Sequence, residues 1–239
     1  MTPVRAVPGR NIRSAAEDKI FAENRRLIYM AVTAKQMKEI ERKADEAGLS
    51  YYQMMENAGT GAYRIICEKY PEADRFIIFT GKGNNGGDGC VVARLAAKDG
   101  KKTELITVEG NPVTADAITN FGLLESLPVE IKPVDEVTVL DAAQGTVLID
   151  AVYGTGFHGA LRPAGKKACF LMNSSSAPVA ALDVPSGVNC DSCEAAEGAV
   201  EADITISFHA FKPVHESEAA KRYCGESVIC PIGIERSML

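Results

Sequence analysis

Three short segments concentrate residues whose chemistry exceeds what packing requires. The first is Gly81-Lys82-Gly83-Asn84-Asn85-Gly86-Gly87-Asp88-Gly89, which follows an apolar run and precedes a helical pattern. It contains G-x-G-x-x-G, the spacing of a dinucleotide-binding turn. Glycines there let a ligand approach the backbone, and a helix N-terminus offers free N–H groups to an anion. The second segment is Asp150 with Ala151-Val152-Tyr153-Gly154-Thr155-Gly156 behind it, and the third is Asp183 followed by Val184-Pro185-Ser186-Gly187. A lone aspartate at a strand end is commonly a helix cap. Three such loops, each with glycine and polar oxygen groups alongside, point instead to one shared site built from Asn84, Asn85, Asp88, Asp150, Thr155, Asp183 and Ser186. These groups include no thiolate or imidazole, a set that suits hard cations and suits zinc or copper poorly. His158 is the one histidine in these loops, and beside a glycine turn its default is solvent exposure.

The loops need elements that carry them to one place. Thr33-Ala34-Lys35-Gln36 reads as a capping box, and Gly48 closes the helix it opens. Ser50-Tyr51-Tyr52-Gln53 opens a second helix in the same way, with Met54, Met55, Ala58, Ala62, Ile65 and Ile66 near helical spacing. Beyond Pro71, short apolar runs predict strands at 76–79, 104–108, 146–149, 179–182, 204–208 and 227–229, with a weaker one at 129–131. Helices are predicted near 89–99, 114–126 and 164–175. Continuous apolar strands alternating with helices mean a parallel sheet covered on both faces. The C-terminal ends of such strands share one sheet edge, which is where open α/β sheets bind ligands. Residues 31–239 read as one α/β domain. Residues 1–30 read as an N-terminal extension without chemistry, an irregular basic stretch ending where Met30 resembles a natural start.

Composition narrows the function classes. The chain has 239 residues, with 26 Lys+Arg against 32 Asp+Glu and a formal charge of −6. That balance speaks against broad nucleic-acid binding, which needs clustered positive charge. No run approaches about 18 consecutive apolar residues, so no membrane-spanning helix is expected. Seven scattered cysteines without a secretory pattern read as reduced thiols and place the protein in the cytoplasm. Cys190 and Cys193 form a C-x-x-C that reads as coincidence, since a zinc site needs two more ligands and the chain has three histidines.

Taken in order, GKGNNGGDG (Gly81–Gly89), VLIDAVYGTG (Val147–Gly156), LDVPSG (Leu182–Gly187), ADITISF (Ala202–Phe208) and Lys212-Pro213 resemble the NAD(P)H-hydrate epimerases, the YjeF N-terminal domain family. MMENAG (Met54–Gly59) is similar to its early helix motif, and the resemblance runs over about residues 31–235. It implies a Rossmann-like three-layer α/β/α sandwich with a mostly parallel central sheet, commonly a homodimer. The implied reaction interconverts the R and S forms of hydrated NADH and NADPH, which carry a hydroxyl on C6 of the reduced nicotinamide ring. A separate ADP- or ATP-dependent dehydratase then acts on the product. A chain ending soon after its last strand resembles the stand-alone epimerase.

The same resemblance implies site roles. Asn84, Asn85, Gly86, Gly87 and Asp88 would contact the hydrated dinucleotide. Gly154, Thr155, Gly156, Phe157, His158, Gly159 and Ala160 would form a second wall, and Asp183 would sit beside the nicotinamide. Asn85, Asp150 and Ser186 match the ligands of one potassium ion per subunit. Catalysis is assigned to Asp183, with Lys212 facing the same crevice as a second candidate. Two rival readings stand beside this one. A conventional NAD(P) dehydrogenase rests on the glycine fingerprint and on Glu109 at the next strand's end. A non-catalytic dinucleotide-binding or scaffold protein would keep the fold without the chemistry.

Overall fold

The computed structural model describes residues 31–140 and 142–239, so the extension expected over residues 1–30 lies outside the described residues. The two sequence caps open the first two helices. Thr33 Oγ1 accepts from the Gln36 amide at 3.2 Å and Thr33 N donates back to Gln36 Oε1 at 2.8 Å, which starts α1 (Ala34–Glu46). Ser50 Oγ likewise accepts from Gln53 N at 3.2 Å at the start of α2 (Tyr51–Lys69). Here the Gln53 side chain turns along the helix to Asn57, so this cap forms only half a box.

Strands and helices then alternate as β1 (Arg75–Thr80), α3 (Asn84–Lys98), β2 (Lys102–Thr107), α4 (Ala115–Gly122), β3 (Val129–Pro133), β4 (Thr146–Ala151), α5 (Pro163–Asn173), β5 (Val179–Leu182) and β6 (Ile204–Phe208). Two short helices, α6 (Pro213–Glu216) and α7 (Lys221–Cys224), precede β7 (Glu226–Cys230). The strands form one sheet in the order β3-β2-β1-β4-β5-β6-β7, and all six pairings are parallel.

Side-chain alternation along the strands splits the core into two layers. Phe76 and Ile78 of β1 face Met54, Ile66, Cys90 and Ala93 of α2 and α3. Ile77 and Phe79 face Ala168, Cys169 and Met172 of α5. The result is a Rossmann-like three-layer α/β/α sandwich. From β1 the chain builds outward to β2 and β3, then returns to place β4 on the other flank of β1. That reversal opens a crevice beyond the carboxyl ends of β1 and β4.

The start of α3 differs from the sequence pattern. A helix was expected from residue 89, but α3 starts at Asn84 and takes in most of the glycine segment. Its glycines are there for packing. A Cβ on Gly86 would lie 1.9 Å from the Gly81 carbonyl oxygen, and one on Gly89 would lie 2.6 Å from the Ala151 Cβ. Glycine within a helix costs about 0.5–1 kcal/mol relative to alanine. Here no side chain fits, because the helix lies directly against the Gly81 carbonyl and against β1 and β4.

Candidate functional site

A cavity of about 500 Å³ opens at the switch point, within the size range of small-ligand sites. The first turns of α3 bring Asn84, Asn85 and Asp88 to its wall. The loop after β4 brings Gly154, Thr155, Gly156, Phe157, His158 and Ala160, and the end of β5 brings Asp183. Parallel pairing places these three loops side by side, as the strand pattern implied. Gly86, Gly87 and Gly159 do not line the cavity, and neither do Asp150, Ser186 or Lys212.

Asp150 and Ser186 lie beneath the wall, fully buried and locked together. Asp150 Oδ1 accepts from Ser186 Oγ at 2.6 Å and from Val152 N at 3.2 Å, and Oδ2 accepts from Ser186 N at 2.7 Å. Burial pushes the Asp150 carboxyl up to about 6, against the opposing pull of these hydrogen bonds. Tyr153 N donates to Ser186 Oγ at 2.9 Å, and Asn85 Nδ2 donates to the Tyr153 carbonyl at 2.9 Å. The expected ligand trio is thus joined through one backbone segment. Asn85 Oδ1 is buried without a hydrogen-bond partner among the described residues, leaving an oxygen available to a cation. No group of three or more His, Cys, Asp or Glu among the described residues is placed to hold a metal ion.

The Asp183 corner is held from behind. Asp183 sits at φ 64°, a left-handed conformation uncommon for a residue with a Cβ, and turns its carboxylate toward the cavity. Lys212 was expected to face the crevice. It is instead 1% exposed and approaches Asp183 from within the protein, because its Nζ is drawn to three internal acceptors. Nζ donates to Asp183 Oδ1 at 2.5 Å, to the Phe208 carbonyl at 2.8 Å and to Ser207 Oγ at 3.3 Å. His215 closes the corner. Its Nδ1 accepts from Lys212 N at 2.9 Å and its Nε2 donates to the Asp183 carbonyl at 2.8 Å. A backbone N–H only donates and a carbonyl only accepts, so this imidazole is the neutral Nε2–H tautomer. Burial, then the Lys212 charge, lowers His215 to about 4.

Glu41 of α1 enters the same wall, although the motif reading did not include it. Burial first, then the Asp183 charge, raises its carboxyl to about 7. Asp88 is held well above the usual carboxylate range by burial and then by Asp183 and Glu41. A signal for Glu41 was present in the sequence, since it lies four residues after buried Met37 and three before buried Ala44 on one helical stripe. His215 had no comparable signal.

Glu109 does line the cavity, but its carboxylate is engaged. Arg162 Nε donates to Oε1 at 2.7 Å, Arg162 Nη2 pairs with Oε2, and the Tyr153 hydroxyl also donates to Oε1. Against burial, these bonds hold Glu109 below the usual carboxylate range. The acid is therefore not free in the way a ribose-binding dehydrogenase requires. The C-x-x-C has no paired role in view: Cys190 is buried among Val184, Val188 and Val214, and both cysteines are free thiols.

The family described as YjeF-related protein N-terminus matches residues 51–214. A bifunctional NAD(P)H-hydrate repair enzyme of Coxiella burnetii is 35% identical over 85% of this chain and 41% of its own length. Its counterpart in Pyrobaculum aerophilum is 38% identical over 85% of this chain and 42% of its own length. The chain thus spans about two fifths of these two relatives. An NAD(P)H-hydrate epimerase of Pirellula staleyi is 36% identical over 83% of this chain and 92% of its own length. The crystal structure of yeast ynu0 shares the fold, with a TM-score of 0.69 and 21% identity, covering 84% of this chain and 87% of that one.

Proposed function

Because this chain belongs to the family of the YjeF-related protein N-terminus, we propose that it is an epimerase interconverting the R and S forms of hydrated NADH and NADPH. The observation that carries the reading is the convergence of the three motif loops on one cavity at the sheet's switch point. The cavity is also polarised. Lys82 and Arg162 stand with Glu109 at one part of the wall, where anionic phosphates are favoured. Asp183, Asp88 and Glu41 line another part, where a developing cation is favoured.

Inversion at C6 requires the carbon–oxygen bond there to break and reform. The ring nitrogen's lone pair can expel the hydroxyl, leaving a planar iminium-like centre that water re-enters from either face. In this scheme the Asp183 carboxylate stabilises the planar cation. Lys212 acts as a positioning residue, holding the Asp183 carboxylate from the protein side, and His215 fixes the backbone of both.

A potassium ion fits the donor set of Asn85, Asp150 and Ser186, given the free Asn85 oxygen and the all-oxygen chemistry. When bound, such an ion would supply fixed positive charge beneath a dinucleotide that an acidic protein must otherwise attract. The remaining proposals are a homodimer in the cytoplasm, one domain over residues 31–239, and a separate ADP- or ATP-dependent dehydratase consuming the product. No described helix is long and apolar enough to cross a membrane.

The decisive experiment incubates the full chain with the pure R epimer of hydrated NADH and follows conversion to S by chromatography. Conversion well above the spontaneous rate is expected. A rate equal to the spontaneous one overturns the reading.

A further inference from the structure

Epimerisation by water loss and return needs two proton-handling groups, one to protonate the departing hydroxyl and one to take a proton from the incoming water. Asp183 accounts for one. Its partner must reach the same cavity from another direction and must not be occupied by the protein.

Two carboxyls meet the second condition. Glu41 makes no hydrogen bond or ion pair among the described residues, although it lines both the main cavity and a smaller one of about 70 Å³ beside it. Asp88, 8% exposed and equally without a hydrogen-bond partner among the described residues, lines the same two spaces. A carboxyl that lines a cavity without a protein partner is open to a ligand group. The two differ in origin. Asp88 belongs to α3 at the sheet edge, whereas Glu41 comes from α1 in the helical layer, a helix outside the matched family segment.

We propose that Glu41 is a further catalytic residue, which protonates the departing C6 hydroxyl from the α1 side while the Asp183 carboxylate deprotonates the incoming water. This rests on the epimerase reading above. The step balances. The C6–O bond breaks as the Glu41 proton joins the hydroxyl, and one water leaves. A second water forms the new C6–O bond and passes a proton to Asp183. The reverse reaction exchanges the two roles, so both directions need one shared proton on the pair.

The setting of Glu41 suits this task. Asp183 and Lys212 face it from the sheet edge, Asp88 from α3 and Tyr51 from α2, with Lys38 on its own helix. Burial and the Asp183 charge bring it to about 7, where acid and base forms are both populated near neutral pH.

The test compares the wild-type chain with Glu41→Gln and Glu41→Asp, measuring R-to-S turnover from pH 5.5 to 9 and binding of the hydrated dinucleotide. Wild-type turnover should fall as pH rises through about 7. Glu41→Gln should lose about 100-fold in kcat with binding retained and that limb gone, and Glu41→Asp should recover part of the loss. Turnover by Glu41→Gln near the wild-type level, with the limb intact, overturns the proposal and leaves the epimerase reading standing. Loss of binding together with turnover in both variants overturns it equally, by assigning Glu41 a structural role. If the wild type itself shows no conversion, the epimerase reading fails and the proposal falls with it.

Discussion

Two corners of one cavity treat their carboxyls in opposite ways. At the Asp183 corner every polar partner is internal. Lys212 bonds the carboxylate, His215 bonds the backbone on both sides, and Ser207 and Phe208 complete the ammonium's shell. At the Glu41–Asp88 corner neither carboxyl has a hydrogen-bond partner among the described residues. The first arrangement holds one carboxylate in one geometry. The second leaves carboxyls whose proton depends on what enters the cavity. In the proposed scheme this open corner supplies the acid and the Asp183 corner the base.

The comparison can be broken most severely at Asp183. Asp183→Asn keeps the shape and removes the charge, so turnover of the R epimer should fall by about 10²- to 10⁴-fold while the circular dichroism spectrum is unchanged. Wild-type turnover in that variant would remove Asp183 from the chemistry.

Stability should separate the corners next. Lys212→Met leaves Asp183 beside a buried apolar side chain, and breaking a buried pair from one side costs about 3–5 kcal/mol. The Asp183 side chain is 14% exposed, so the lower end is expected. That corresponds to a fall in melting temperature of about 6–12 °C for a chain of this size. Combining Lys212→Met with Asp183→Asn should restore part of it, because no unpaired charge is then buried. A loss in the double variant equal to the sum of the single losses would mean the pair is not coupled.

Acid titration should pick out His215. Its folded-state value, about 4, lies below the usual 6.5, so the unfolded chain binds the proton more readily between those values. The stability His215 contributes is present above pH 6.5 and is lost as pH falls through about 4, on the order of 3 kcal/mol. Asp150 and Glu41, raised to about 6 and 7, change stability in the opposite sense over part of this range. The useful quantity is therefore the difference between wild type and His215→Gln in denaturant unfolding. Wild type should lose ground to the variant as pH falls from 6.5 to 4, and parallel curves would rule out a buried neutral imidazole.

The smallest effect belongs to the open corner. Asp88 is raised by burial, so the folded chain keeps a proton that the unfolded chain releases as pH rises above about 4. Asp88→Asn removes that penalty and should match or exceed wild type at pH 7, within about 1 kcal/mol. Destabilisation well beyond that in the same unfolding assay would mean that Asp88 has a structural partner and the corner is not open.

Much of this was legible before the fold was known. The strand runs, including the weaker one at 129–131, fall within observed strands except for residue 108, one past the end of β2, because period-2 burial and unbroken apolar stretches are local properties. Thr33 and Ser50 cap their helices as read, again a matter of side chains three residues apart. The three motif loops meet because a parallel sheet leaves them no other edge. The glycine segment misled on the start of α3, since the requirement for glycine lay in the contact of Gly86 with the Gly81 carbonyl just past β1 and of Gly89 with β1 and β4. Lys212 misled in direction, because sequence places a residue after a strand without saying whether its side chain points outward or back.

The sequence by itself determined the layered α/β plan, the edge where chemistry gathers and the oxygen-only character of its donors. Those follow from periodicity, residue type and chain order. Only the tertiary structure decided which carboxyls are partnered and which are free. Asp183 meets Lys212 across 29 positions, and its charge reaches back to Glu41 on the first helix of the domain. Protonation depends on burial and on charges a few ångströms away in space, and neither quantity exists until the chain has folded.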